Sequence, residues 1–142
     1  MRIFLDTNIL VSAVATRGLC ADVLREVLTF HEIIISEQLL SELGKSLIRK
    51  LGVPKSLVEE FVEILVQDAH FAQPSALPGV KIHDRDDLAI LSADLNGKAD
   101  LFITGDKELL TLGSVGPMDI VNPRKFWEVL RARGRSRKPT LR

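Results

Sequence analysis

Two short apolar runs in this 142-residue chain end in an aspartate. Ile3-Phe-Leu-Asp6 and Phe102-Ile-Thr-Gly-Asp106 each place the acid just past residues that favour a buried strand. If both strands lie parallel in one sheet, both acids stand on its carboxyl edge, where open α/β sheets bind their ligands. Helical stretches supply further acids. Glu42 lies between Leu39 and Leu43 on a helix face, and Asp84-Arg-Asp-Asp87 opens another helix. All these donors are oxygens, with no Cys or His at metal-ligand spacing, and such a set favours Mg²⁺ or Mn²⁺. Carboxylate-held Mg²⁺ serves phosphate chemistry, because the metal activates water and no His base is needed. The chain has no Gly-rich phosphate loop with Gly-Lys-Ser/Thr and no Gly-x-Ser-x-Gly elbow. That argues against an ATPase and against a serine hydrolase of that type.

Each acid also has a plainer reading. Asp6 and Asp106 each precede a helix and can cap it, a role worth about 1 kcal/mol. Asp84, Asp86 and Asp87 suit the positive end of a helix dipole. Glu42 taken alone suits a solvated surface. Gathered together, the acids read differently. A like-charged pair about 4 Å apart costs on the order of 4 kcal/mol at an effective dielectric near 20. A cation is the usual relief.

The elements that must position these residues follow from patterning. Strands are expected at Arg2–Leu5, Glu32–Ser36, Asp100–Thr104 and Met118–Val121, as short apolar runs rich in β-formers. Between them run helical faces: Thr7–Val14, Cys20–Phe30, and Gln38–Leu51 with Leu39, Leu43 and Leu47 on one stripe. A capping box at Ser56-x-x-Glu59 opens a further helix. The Asp84 helix runs through Leu88, Leu91 and Leu95, a short helix follows Asp106, and Pro123 opens the last. Strands alternating with helices predict an α/β domain. Its central, mostly parallel sheet of about four to five strands is flanked by helices.

Composition sets the bounds. A single domain is expected at this length. Apolar residues make up 46%, which excludes a disordered chain, and the one cysteine, Cys20, excludes an internal disulfide. The charge is zero overall but unevenly placed. Residues 131–142 hold Arg131, Arg133, Arg135, Arg137, Lys138 and Arg142 with no acid, leaving 13 basic against 19 acidic residues in 1–130. The stretch 131–142 reads as a basic, mobile tail beyond a domain of residues 1–130. The tail's cations are candidates for contacts with anions. His31, His70 and His83 are scattered and read as structural or surface residues, with only His83 next to the acid cluster, and Trp127, beside Phe126, reads as core or dimer interface. Asp6 and Asn8 interrupt the apolar N-terminus, unlike a signal sequence, and no stretch approaches a membrane span. A soluble cytoplasmic protein is the expectation.

Four motifs in order carry a resemblance. Phe4-Leu-Asp-Thr-Asn8, Ser36-Glu-Gln-Leu-Leu-Ser-Glu-Leu43, Asp84-Arg-Asp-Asp-Leu-Ala-Ile-Leu-Ser-Ala93 and Phe102-Ile-Thr-Gly-Asp106 resemble the PIN domain. More narrowly, they resemble the VapC-like toxins of toxin–antitoxin pairs, over residues 1 to about 130. The resemblance implies a Mg²⁺- or Mn²⁺-dependent endoribonuclease acting on single-stranded RNA, often dimeric and neutralised by an antitoxin protein. It implies that Asp6, Glu42, Asp87 and Asp106 are the catalytic, metal-holding acids, with Asp86 an alternative for the third. Asn8 and Thr104 match the polar residues that orient the acids. Two other classes compete. One is a degenerate PIN domain that holds RNA or a partner without cutting. The other is an aspartate-dependent phosphatase, whose chemistry wants a second acid where this chain has Asn8.

Overall fold

The computed structural model describes residues 1–72 and 98–136. The helix expected from Asp84, with His83, Asp86 and Asp87, lies outside the described residues, as do Arg137, Lys138 and Arg142. In chain order the elements are β1 (Arg2–Leu5), α1 (Thr7–Ala15), α2 (Leu19–Phe30), β2 (Glu32–Ile35), α3 (Glu37–Leu51) and α4 (Lys55–Val66). Then come β3 (His70–Phe71), β4 (Leu101–Ile103), α5 (Lys107–Leu112), β5 (Ser114–Val115), β6 (Met118–Val121) and α6 (Pro123–Ser136).

The described strands form one six-stranded sheet in the order β3-β2-β1-β4-β6-β5. All neighbours are parallel except β5, which runs antiparallel to β6. The α/β class and mostly parallel sheet match the expectation, with two more strands than were named from the sequence. β3 and β5 have two residues each, too few to show a period.

β1 and β4 pair at the centre, with Phe4 opposite Phe102. Their rings meet edge to face, centroids 5.6 Å apart at 87°. Both are fully buried with Ile3, Leu5, Ile34 and Ile103. Phe102→Ala is expected to cost about 3–5 kcal/mol, the range for a buried aromatic cut to alanine. Urea unfolding measures it, and a loss below about 1 kcal/mol would mean that the ring does not anchor the centre of the sheet.

α1 and α2 each run one residue beyond expectation, to Ala15 and from Leu19, and the boundaries of three other helices differ for a physical reason. α3 starts at Glu37 because the Ser36 hydroxyl accepts the Leu39 amide at 3.1 Å. It stops at Gly52, whose φ of 64° lies in the left-handed region that glycine tolerates. α4 starts at Lys55, ahead of the expected capping box. The Pro54 carbonyl already accepts the amides of Leu57 and Val58, so Ser56 falls inside the first turn. α6 does not stop near Leu130 but continues to Ser136, carrying Arg131, Arg133 and Arg135 on helix. Arg and Ala are good helix formers, and buried Phe126 anchors the turn before them.

Among the described residues, no single helix is long and apolar enough to cross a membrane.

Candidate acidic site on the carboxyl edge

Parallel pairing of β1 with β4 sets the first two acids side by side. The Asp6 amide continues the ladder by donating to the Ile103 carbonyl at 2.9 Å. Thr104 continues it on the far side, its amide donating to the Val121 carbonyl at 2.9 Å. Asp6 and Thr104 therefore stand at equivalent places, each one residue past its strand.

Thr104 joins the two acids. Its hydroxyl donates to Asp6 Oδ2 at 2.6 Å and accepts the Asp106 amide at 3.0 Å. Thr104 is fully buried and Asp6 is 9% exposed, so this bond is sheltered from water. Burial pushes the Asp6 carboxyl above its ordinary 3.8. The Thr104 hydroxyl and the amides of Thr7 and Asn8 pull it back in part, and the neighbouring Asp106 charge pushes it up again.

The two aspartates differ as caps. Asp6 precedes α1, yet its side chain closes no capping hydrogen bond. Asp106 caps α5: its Oδ1 accepts the amides of Glu108 at 2.8 Å and Leu109 at 3.3 Å. Both bonds fall on one oxygen, so Oδ2 is the oxygen that the cap does not use. Asp106 itself is exposed.

Glu42 reaches the same neighbourhood from α3, which packs against α1. The half-buried carboxylate accepts the Thr7 hydroxyl at 3.4 Å on Oε1 and the Gln38 amide at 3.2 Å on Oε2. Thr7 follows Asp6 directly, so Glu42 is tied to the residue beside the first acid. Thr7 and Gln38 were not singled out from the sequence. Their contacts with Glu42 cross the α1–α3 packing or run along one helix face, and only the i, i+4 spacing of Gln38 and Glu42 hinted at either.

Asn8 is exposed near the start of α1 and makes no side-chain hydrogen bond to Asp6, Glu42 or Asp106 among the described residues. Arg131 and Arg133 are exposed far along α6. Asp86 and Asp87 fall outside the described residues. Among the described residues, no group of three or more His, Cys, Asp or Glu side chains gathers closely enough to hold a metal ion.

Comparison with known proteins agrees with this topology. The PIN domain family model matches residues 2–108. No curated protein sequence matches the chain. In the crystal structure of VapBC2 from Rickettsia felis bound to a DNA fragment from their promoter, one chain is 20% identical with a TM-score of 0.61. The match covers 86% of this chain and 98% of that one. A chain of VapBC-1 from nontypeable Haemophilus influenzae is likewise 20% identical, with a TM-score of 0.60, covering 87% of this chain and 99% of that one. At such identity the likeness is one of fold. The family match takes in Asp6, Glu42, Thr104 and Asp106 within its span, and the chain belongs to the PIN domain family.

Proposed function

We propose that this chain is a divalent-metal-dependent endoribonuclease that cuts single-stranded RNA and acts as the toxin of a toxin–antitoxin pair. The observation that carries the reading is the Thr104 hydroxyl, which ties two strand-end aspartates together on the carboxyl edge. The toxin assignment rests on the fold shared with chains of VapBC complexes. An antitoxin protein is its proposed partner, a homodimer its assembly and the cytoplasm its place of action.

Asp6, Glu42 and Asp106, with Asp87 or Asp86, would hold Mg²⁺ or Mn²⁺. The donors fit: they are all oxygens, and Asp6 carries a carboxyl whose ionisation a cation would favour. When bound, the metal supplies an activated water and neutralises charge on the phosphate. The chain's own groups do the rest. Thr104 fixes Asp6 through Oδ2. The α5 cap orients Asp106 through Oδ1 and leaves Oδ2. Arg131, Arg133 and Arg135 on α6, with Arg137 and Lys138 beyond the described residues, are proposed contacts for RNA phosphates.

The test is cleavage of a single-stranded RNA in EDTA, Mg²⁺, Mn²⁺ and Ca²⁺. Turnover is expected in Mg²⁺ and Mn²⁺ only, since the looser Ca²⁺ shell fits an octahedral site poorly. Full activity in excess EDTA would overturn the metal reading. A PIN domain that binds RNA without cutting is the second reading. It is favoured by the want of a three-ligand group among the described residues. RNA binding with no cleavage in any metal would be its signature.

A further inference from the structure

Away from the acidic edge, α2 packs against α6. A cleft of about 360 Å³ opens there, lined by Asp22, Arg25, Glu26, Thr29, Phe30 and Trp127. A volume of that order takes a small planar ligand. Trp127 gives the cleft a broad apolar wall. The indole is half-buried and braced by Phe126, ring centroids 5.6 Å apart, and Phe126 is itself fully buried. An indole so held loses little freedom when another ring stacks on it. Phe30 adds a second ring, 49% exposed. α2 brings the carboxylates. Glu26 is half-buried and accepts from His31 Nε2 at 3.3 Å, which steadies it. Asp22 pairs with exposed Arg25 at 3.1 Å, a bond that water screens.

An aromatic wall beside a carboxylate suits a flat ring rich in N–H donors, because a carboxylate only accepts. Guanine offers adjacent N1–H and N2–H donors on one edge, whereas adenine and cytosine offer one amino group and uracil one ring N–H. The surroundings choose between such a base and an organic cation. Arg124 lies three residues before Trp127 and Arg131 four after it, both exposed and on the same side of α6. With Arg25 they disfavour a cationic guest and suit a base flanked by phosphates.

We propose that the α2–α6 cleft seats a guanine base of single-stranded RNA. The base stacks on Trp127, Glu26 accepts the N–H groups of its pairing edge, and Arg124 and Arg131 meet the phosphates on either side. The inference rests on the RNA reading above and extends it from the cutting of a strand to the choice of one. None of the cleft residues belongs to the acidic edge, and neither the stack nor the hydrogen bonds need a metal ion.

Trp127 is the chain's one tryptophan, so its fluorescence reports the cleft directly. The experiment titrates the full chain in EDTA with a uridine oligomer carrying one guanosine, the same oligomer without it, and free guanosine monophosphate. Quenching by the guanosine oligomer is expected at a Kd roughly 10-fold below that of the all-uridine strand, the discrimination a paired hydrogen bond to a base edge supplies. Glu26→Gln, which keeps an oxygen for His31, is expected to erase that preference and still to quench. Trp127→Leu, followed by the anisotropy of a labelled strand, should weaken binding of the guanosine oligomer roughly 10-fold, and Trp127→Phe, which keeps a ring, should recover part of it. No fluorescence change while the labelled strand binds would overturn the cleft as the base site. Equal Kd values for the two oligomers, or a preference that survives in Glu26→Gln, would overturn the guanine assignment. Free nucleotide binding as tightly as the strand would overturn the RNA assignment. A tryptophan shift that follows protein concentration alone would give the cleft to a second copy instead. Should a variant fail to fold, the parent's choice between the two oligomers decides alone. Cleavage in Mg²⁺ is measured separately: a parent that cuts RNA with a silent cleft leaves the nuclease reading intact, and a parent that neither binds nor cuts RNA removes both.

Discussion

Asp6→Asn is expected to abolish cleavage and, in the absence of metal, to stabilise the fold at neutral pH. The two effects share one cause. Asp6 is nearly buried, and burial holds its carboxyl above the ordinary 3.8. The folded chain therefore binds this proton more readily than the unfolded chain does. The cost is absent below 3.8, grows as pH rises through the raised value, and is complete above it. Asn keeps an oxygen for the Thr104 hydroxyl and has no such titration. In EDTA the mutant's Tm should exceed the parent's at pH 7 by about 4 °C, for a gain on the order of 1 kcal/mol, and the gap should close toward pH 3.5. Added Mg²⁺ should reverse the order, because a ligand that binds the native state stabilises it by RT ln(1 + [L]/Kd). Cleavage should fall by roughly 10³-fold or more, about 4 kcal/mol of transition-state stabilisation. Parallel melting curves for parent and mutant across pH would remove the buried charge from the stability argument.

Asp106→Asn should be as damaging to activity and nearly silent in stability. The structure explains the difference. Asp106 is exposed, and its Oδ1 caps α5 through the amides of Glu108 and Leu109. Asn is about as good a cap as Asp, so the helix start survives the change. The negative charge does not survive, and cleavage is expected to drop by roughly 10³-fold or more. Asp106→Ala separates the roles. It should lose the same activity and also about 1 kcal/mol of stability with the cap. Thermal melts and single-turnover cleavage on the three proteins measure both quantities. An Asp106→Asn enzyme that cuts RNA like the parent would leave Asp106 as a cap and nothing more.

The strand-end placement of Asp6 and Asp106 was legible because the strands beside them were. Ile3-Phe-Leu and Leu101-Phe-Ile are apolar on every residue, as a strand covered on both faces must be. The polar residues that follow are then bound to lie at the edge. Thr104 was legible only through the resemblance to the PIN domain; the structure supplies the physical reason, a hydroxyl between a buried strand and an acid. The Thr7–Glu42 contact was not, because it depends on how α3 rotates against α1, and local sequence does not encode that angle. The start of α4 was misread because Ser56 and Glu59 match a capping box while Pro54, two residues earlier, already supplies the carbonyl that begins the helix. β3 and β5 were missed because neither is long enough to show alternation, and both exist only by pairing with a neighbour. From its place in the sequence Asp106 reads as either a cap or a site residue. It closes the cap, with one carboxylate oxygen outside it.

The Thr104–Asp6 hydrogen bond joins residues 98 positions apart. Closing so long a loop is entropically slow, which places the bond among the late events of folding. Synthesis adds a timetable of its own. At ribosomal rates of about 5–20 residues per second, roughly 5–20 s pass between the making of Asp6 and of Thr104. Throughout that interval the first acid has neither its hydroxyl partner nor the strand that carries it. A chain truncated between residues 42 and 104 contains Asp6 and Glu42 but lacks the second strand end of the site. For an enzyme proposed to destroy RNA, that order of assembly keeps unfinished copies harmless to the ribosome making them.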